Sequence, residues 1–195
     1  LLHLSRVMAK RLVEQRSGPA AGKAKNDAYQ LIGLAAALPR GERQLLTVHL
    51  ALQLVAQVRR RVRRVDLHAD SGMMARILGL KPQLVTEEAL RGVDLRDPSV
   101  IRALSQQHPC GLDVLSIPAA TLGGRLYSGI YLFLNFLREA HEFSLVAMDT
   151  DGGDVEKAII AEADLVLLAG QEGHRPQFRQ LQAELRSLVA ERKRL

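Results

Sequence analysis

Five short apolar runs punctuate the chain, at residues 29–36, 62–67, 112–117, 143–148 and 165–169. Each has the length of a strand, and several are apolar on both faces, the pattern of strands buried inside a parallel sheet. The segments between them carry helical spacing. Residues 44–61 set Leu45, Val48, Leu52, Val55 and Val58 along one face. Asp97 pairs an N-cap with Pro98 at the first helical position and opens a helix to about residue 106. Helical patterns follow at 127–140, 155–163 and 176–192. Ahead of this alternation, residues 1–16 place Leu1, Leu4, Met8 and Leu12 at helical spacing, and the small polar stretch 17–23 reads as a linker. No fixed-period repeat is present.

Strands alternating with helices predict an α/β layer fold with a mostly parallel sheet and right-handed crossovers. Ligands bind such sheets beyond the carboxyl ends of the strands, so the turns there carry the chemistry. The first turn is Ala37-Leu38-Pro39-Arg40-Gly41-Glu42-Arg43-Gln44-Leu45, between a strand and a strong helix. A phosphate-cradling turn needs glycines that let backbone N–H groups converge on the anion. It also needs a lysine for the β- and γ-phosphates and a hydroxyl for magnesium. This turn stands in the right place with different chemistry.

Four stretches, in order and at compatible spacing, carry a family resemblance. Thr47-Val48-His49-Leu50-Ala51-Leu52 follows the first turn. Val65-Asp66-Leu67-His68-Ala69-Asp70 leads on to Ile77-Leu78-Gly79-Leu80. Phe143-Ser144-Leu145-Val146-Ala147-Met148-Asp149-Thr150-Asp151-Gly152 and Ala163-Asp164-Leu165-Val166-Leu167-Leu168 complete the set. Over roughly residues 28–190 the chain resembles the MinD/ParA superfamily of deviant Walker ATPases. That family has the loop Lys-Gly-Gly-x-Gly-Lys-Thr-Thr, a strand ending Asp-x-Asp, and a Walker B strand with an Asp-x-x-Gly switch. The resemblance implies a three-layer P-loop NTPase-like domain over 28–195, preceded by a helical extension and linker at 1–27.

Aligned without a gap, Leu38 falls on the signature lysine, and Pro39, Arg40 and Glu42 on the three glycines. Arg43 falls on the Walker lysine, and Gln44 and Leu45 on the two hydroxyl residues. Asp66 and Asp149 keep their motif positions, while His68 replaces the second aspartate of its motif. Gly41, Arg43, Gln44, Asp66 and Asp149 are therefore the expected remains of a nucleotide site. Proline removes an N–H donor, the loss of glycine removes positive-φ freedom, and Glu42 brings a negative charge to an anion site. Arginine meets phosphate as a planar fork rather than a compact ammonium. No catalytic set and no resident cofactor is expected, with weak binding of ATP or ADP with magnesium as the alternative.

Within the superfamily, Pro109-Cys110-Gly111-Leu112-Asp113-Val114-Leu115-Ser116-Ile117-Pro118 is similar to CpaE/TadZ proteins, which position pilus machinery. The stretch 139–150 is similar to bacterial tyrosine kinases of capsule assembly. Those kinases end in a tyrosine cluster, whereas Tyr29, Tyr127 and Tyr131 here are all internal. The resemblance implies a pseudo-ATPase scaffold or spatial regulator of a membrane-associated bacterial machine. The alternative is a weak ATPase or kinase-like protein of polysaccharide assembly and export. MinD/ParA relatives dimerise around nucleotide, which would place a homodimer face around Gly41, Arg43, Asp66 and Asp149. Relatives also carry strands beyond the last apolar run, so the sheet is expected to be either shortened or completed by a partner at that edge.

Composition narrows the remaining readings. The 195 residues are 47% hydrophobic and 25% charged, enough for one substantial core. No apolar run reaches the ~20 residues of a membrane span, and residues 1–16 lack a signal-peptide block, so the expected place is the cytoplasm or the inner-membrane surface. One cysteine excludes an internal disulfide. Its neighbours in sequence give Cys110 no activating group, so an inert thiol is expected. Net charge is +6 with no Trp, which disfavours a base-stacking nucleic-acid surface. ParA-like DNA contact through Arg59–Arg64 is the alternative. Arg63 and Arg64 read either as an exposed edge that binds an acidic partner or as snorkelling stems before a late-starting strand. Asp66, His68 and Asp70 stand at i, i+2 and i+4 with no second metal-ligand cluster in sequence, so His68 and Asp70 are expected to be solvated turn residues, and His108, His141 and His174 lie in separate connections. The stripe Phe178, Leu181, Leu185, Leu188 and Val189 reads as a sheet-covering helix in preference to a membrane-surface one.

Overall fold

The computed structural model describes residues 2–16, 30–58, 62–66, 72–90, 97–118, 130–131, 133–134, 137, 143–147 and 153–192. The 17–23 linker, Arg59–Arg61, Leu67–Asp70, His141 and Asp149–Gly152 lie outside these residues.

Apolar residues on both sides of the backbone produce a sheet sealed on both faces. The strands are β1 (Gln30–Ala37), β2 (Val62–Asp66), β3 (Gln106–Gln107), β4 (Leu112–Ser116), β5 (Phe143–Ala147) and β6 (Leu165–Gly170). They lie in the order β3-β4-β2-β5-β1-β6. All pairs are parallel except the short β3–β4 pair. The five longer strands match the five apolar runs. β3 has no counterpart among them, because two glutamines on an outer edge leave no hydrophobic period. β5 lies between β2 and β1 with all five residues buried, as its unbroken apolar run requires.

Seven helices are described: α1 (Leu2–Arg16), α2 (Arg40–Val58), α3 (Met73–Ile77), α4 (Glu87–Leu90), α5 (Pro98–Leu104), α6 (Asp154–Glu162) and α7 (Arg175–Arg192). Ile130, Tyr131, Phe133, Leu134 and Leu137 are also helical, within the segment where a helix is expected. Alternation along β1 divides the core in two. Ile32 and Leu34 join Ala9 and Leu12 of α1, Val48, Ala51 and Leu54 of α2, and Met74 of α3. Leu31 and Ala35 join Ile101 of α5, Phe133, Leu137, Ile159 of α6, and Leu181 and Leu185 of α7. Three layers result, with α1 packed on α2.

Local chemistry fixes several element ends. Asp97 caps α5 by accepting the Ser99 N–H at 2.8 Å, with Pro98 in the first turn. Asp164, before β6, accepts the Leu31 N–H at 2.7 Å and donates its own N–H to the Leu31 carbonyl at 2.9 Å. That two-point contact sets the start of β6 against the start of β1.

The α7 stripe covers the sheet. Leu181 and Leu185 are buried in the core, and Phe178 lies against the backbone of Gly170, where a Cβ would overlap its ring.

Arg63 departs from both readings of the arginine run. It lies in β2, an interior strand, and is only 2% exposed. β2 starts at Val62, so no late start frees the side chain. The register puts Arg63 between Asp113 of β4 and Ser144 of β5. These three polar residues form one row across the sheet, on the same face as Val65 and Val146. Ser144 Oγ donates to the Leu137 carbonyl at 2.6 Å. Among the described residues no helix is long and apolar enough to cross a membrane.

Candidate functional site

The expected site is the carboxyl end of β1, where strand, turn and helix must meet around an anion. β1 continues to Ala37, paired with Gly170 of β6, and α2 begins at Arg40. Only Leu38 and Pro39 separate them. Sequence reading starts the helix at residue 44; the structure starts it four residues earlier. Pro39 accepts the first helical hydrogen bond, from the Arg43 N–H at 3.0 Å. Residues aligned with the phosphate loop are thus the first turn of a helix. Glu42 provides the acidic residue that a helix start favours, and proline just ahead of the first turn is compatible with it.

Each expected site residue can now be placed. Gly41 is exposed and is not among the positive-φ glycines; a Cβ there would meet nothing within 4 Å. Its conformational freedom is unused. Arg43 is half-buried, with its N–H committed to Pro39 and its carbonyl accepting Thr47 Oγ1 at 2.7 Å. Gln44 is fully buried, and neither its Nε2 nor its Oε1 makes a hydrogen bond among the described residues. A magnesium ligand must face the bound anion, whereas this amide is closed off from solvent. The helix brings Gly41, Arg43 and Gln44 together. Asp66 ends β2 in register with Ala147, which is level with Leu34 of β1. Two strand spacings, about 10 Å, separate Asp66 from β1. Asp149 lies outside the described residues.

Two features of the site were absent from the sequence reading. Leu38, aligned with the signature lysine, is 9% exposed and packs with Ala36, Leu46 and Ala169. An apolar plug therefore seals the end of β1 against β6. The side-chain amide of Gln171, just after β6, donates to the Glu42 carboxylate. This places an internal carboxylate in the first turn of α2, where the helix dipole favours an anion. The plug draws on β1, the connection, α2 and β6, and the Glu42–Gln171 contact spans 129 residues, so neither can be read locally.

The residues present do not fit a triphosphate with magnesium. Among the described residues, the β1–α2 connection has no positive-φ glycine, the position aligned with the signature lysine is apolar and buried, and the first turn of α2 carries the Glu42 carboxylate. Among the described residues no group of three or more His, Cys, Asp or Glu side chains could hold a metal ion.

No protein-family model matches the chain, and no curated protein does. Solved structures do. The kinase domain of the Escherichia coli tyrosine kinase ETK matches with a TM-score of 0.63 at 11% identity, over 92% of this chain and 71% of that one. A ParA family ATPase from Chlorobium tepidum matches with a TM-score of 0.63 at 16% identity, over 84% of this chain and 69% of that one. The fold is P-loop NTPase-like. The VpsO kinase domain matches with a TM-score of 0.60 at 18% identity and covers 95% of this chain and 91% of its own. The P-loop NTPase-like architecture expected from the four motif stretches is thus present, and the altered first turn is built into it.

Proposed function

We propose that this chain is a MinD/ParA-like pseudo-ATPase that acts as a scaffold or spatial regulator of a membrane-associated assembly. The observation that carries this reading is the direct passage of β1 into α2 through Leu38 and Pro39. A P-loop works by wrapping backbone N–H groups around phosphates. Here Arg40–Gln44 make a helical turn, with Leu38 packed as a plug and the Glu42 carboxylate held by Gln171. A sheet retained without its cradle leaves surfaces, rather than chemistry, for function to use.

Calorimetric titration of the purified chain with ATP and ADP, with magnesium, tests the proposal. No binding up to about millimolar nucleotide is expected, because Leu38 fills the position of the signature lysine and the turn lacks the glycines of a phosphate cradle. Micromolar binding that is lost in Arg43→Ala would overturn it.

The second reading is a weak ATPase or kinase-like protein of polysaccharide assembly. The likeness to two tyrosine kinase domains supports it, with nearly the whole VpsO domain covered. That reading requires nucleotide binding, so the same titration separates the two.

A further inference from the structure

The two edges of the sheet differ in kind. β3 forms one edge with two polar residues, Gln106 and Gln107, too short a stretch to template another chain. β6 forms the other with six residues, and among the described residues it pairs with β1 alone. It holds no charge and no proline, the usual guards of an exposed edge. Leu165, Val166, Leu167 and Leu168 are each half-buried. Leu165 and Leu167 pack with the α1–α2 side of the core, Val166 and Leu168 with the α6–α7 side. Apolar surface therefore stays open on both faces of this edge.

The ends of β6 carry opposite charge. Residues 161–164, at its entry, hold Glu162 and Asp164 with no cation, whereas residues 171–180, past its exit, hold Arg175 and Arg179 against Glu172. Asp164, Arg175 and Arg179 are exposed. A second β6 laid parallel would set entry against entry and bring the acids together. Laid antiparallel, it sets each acidic entry beside a basic exit. The uncharged strand between them lets two copies of a chain with net charge +6 meet without like charges at the contact. The edge is thus complementary to itself.

We infer that β6 is a homodimer interface, at which the β6 of a second copy adds antiparallel across a two-fold axis and joins the two sheets into one. Main-chain hydrogen bonds supply the attachment and the half-buried apolar side chains share their open surface. Side-chain parity restricts the register. Residues directly opposite in an antiparallel pair share a face of the sheet, and a two-fold axis perpendicular to the sheet returns each face to itself. Opposite residues are therefore separated by an even number, so a residue lies on the axis rather than a gap between two. Greatest overlap of Leu165–Gly170 puts Leu167 or Leu168 there. With Leu167 on the axis, Leu165 meets the partner's Ala169, Val166 meets the partner's Leu168, and Asp164 meets the partner's Gly170. The short β3 edge cannot repeat the contact, so the assembly closes at two copies. The pairing uses groups along β6 and needs no nucleotide, so it stands apart from the outcome of the ATP titration.

The test is the mass of the purified chain by sedimentation and light scattering, without nucleotide, over roughly a hundred-fold range of concentration. A species of twice the monomer mass is expected, with nothing larger. Leu167→Lys sets two ammonium groups against each other at the axis and should give a monomer with unchanged far-UV circular dichroism. A cysteine scan locates the axis and serves if the lysine variant does not fold. Val166→Cys, Leu167→Cys and Leu168→Cys are made singly with Cys110→Ser and oxidised mildly. Only the residue on the axis meets its own copy at about 5 Å, while its neighbours stand about 7–8 Å from theirs. One intermolecular disulfide should dominate, at position 167 or 168, several-fold over the positions beside it. A monomer at every concentration overturns the proposal. So does a mass that climbs past two copies, a dimer that survives in folded Leu167→Lys, or cross-linking that is absent or equal across the three positions.

Discussion

Gln171 donates its side-chain amide to the carboxylate of Glu42, two residues 129 apart in sequence. The bond ties the exit of β6 to the first turn of α2, where the helix dipole favours a negative charge. Glu42→Ala should remove both the bond and the carboxylate's interaction with the helix dipole. The pair is exposed, so the expected loss is about 0.5–1 kcal/mol, shrinking as salt rises. Urea midpoints at low and high salt measure it. Nucleotide affinity should not appear in this variant, because Leu38 and the missing loop remain.

Leu38→Lys restores the residue type of the family's signature position and should fail to restore its chemistry. The side chain is 9% exposed, among Ala36, Leu46 and Ala169. An ammonium there must either lose its hydration or break the plug open. A destabilisation of about 2–4 kcal/mol is expected, with no gain in ATP binding by calorimetry. A stable variant that binds ATP would show that the plug is a replaceable lid on a working site.

How much of this was legible follows from what each signal depends on. β5 was the most readable strand, because burial on both faces leaves an unbroken apolar run at Phe143–Ala147. The Asp97 cap was readable because capping is local. The early start of α2 had local cues in Pro39 and Glu42, but alignment to a loop motif outweighed them. Arg63 was misread because the row it joins is made by strand register, which sequence spacing does not reveal. One clue existed: Asp113 is the lone charge in β4, and an interior charge needs compensation.

The Arg63 row makes a prediction about the sheet. Arg63 is 2% exposed and stands in register with Asp113 across the β2–β4 pair. Arg63→Met removes one charge and leaves the other in a partly buried strand, at an expected cost of about 3 kcal/mol. The double replacement Arg63→Met with Asp113→Leu removes both and should recover most of that loss. Thermal unfolding of the two single variants and the double variant measures the coupling. Additive losses would mean that the two residues are stabilised independently.

Gln44 gives the sharpest division between a relic and a working site. Its amide is fully buried, and neither polar atom has a hydrogen-bond partner among the described residues. A buried amide without partners costs stability, whereas an apolar side chain of similar length would fill the same space without that cost. Gln44→Met should therefore raise stability by about 1–2 kcal/mol, seen as a higher urea midpoint at unchanged slope. In an active relative this position serves magnesium, and replacing it would sacrifice function. Here the substitution should stabilise the fold and leave partner association untouched. A stability loss would instead mean that the amide is satisfied in solution, and the position would return to the list of ligand-facing groups.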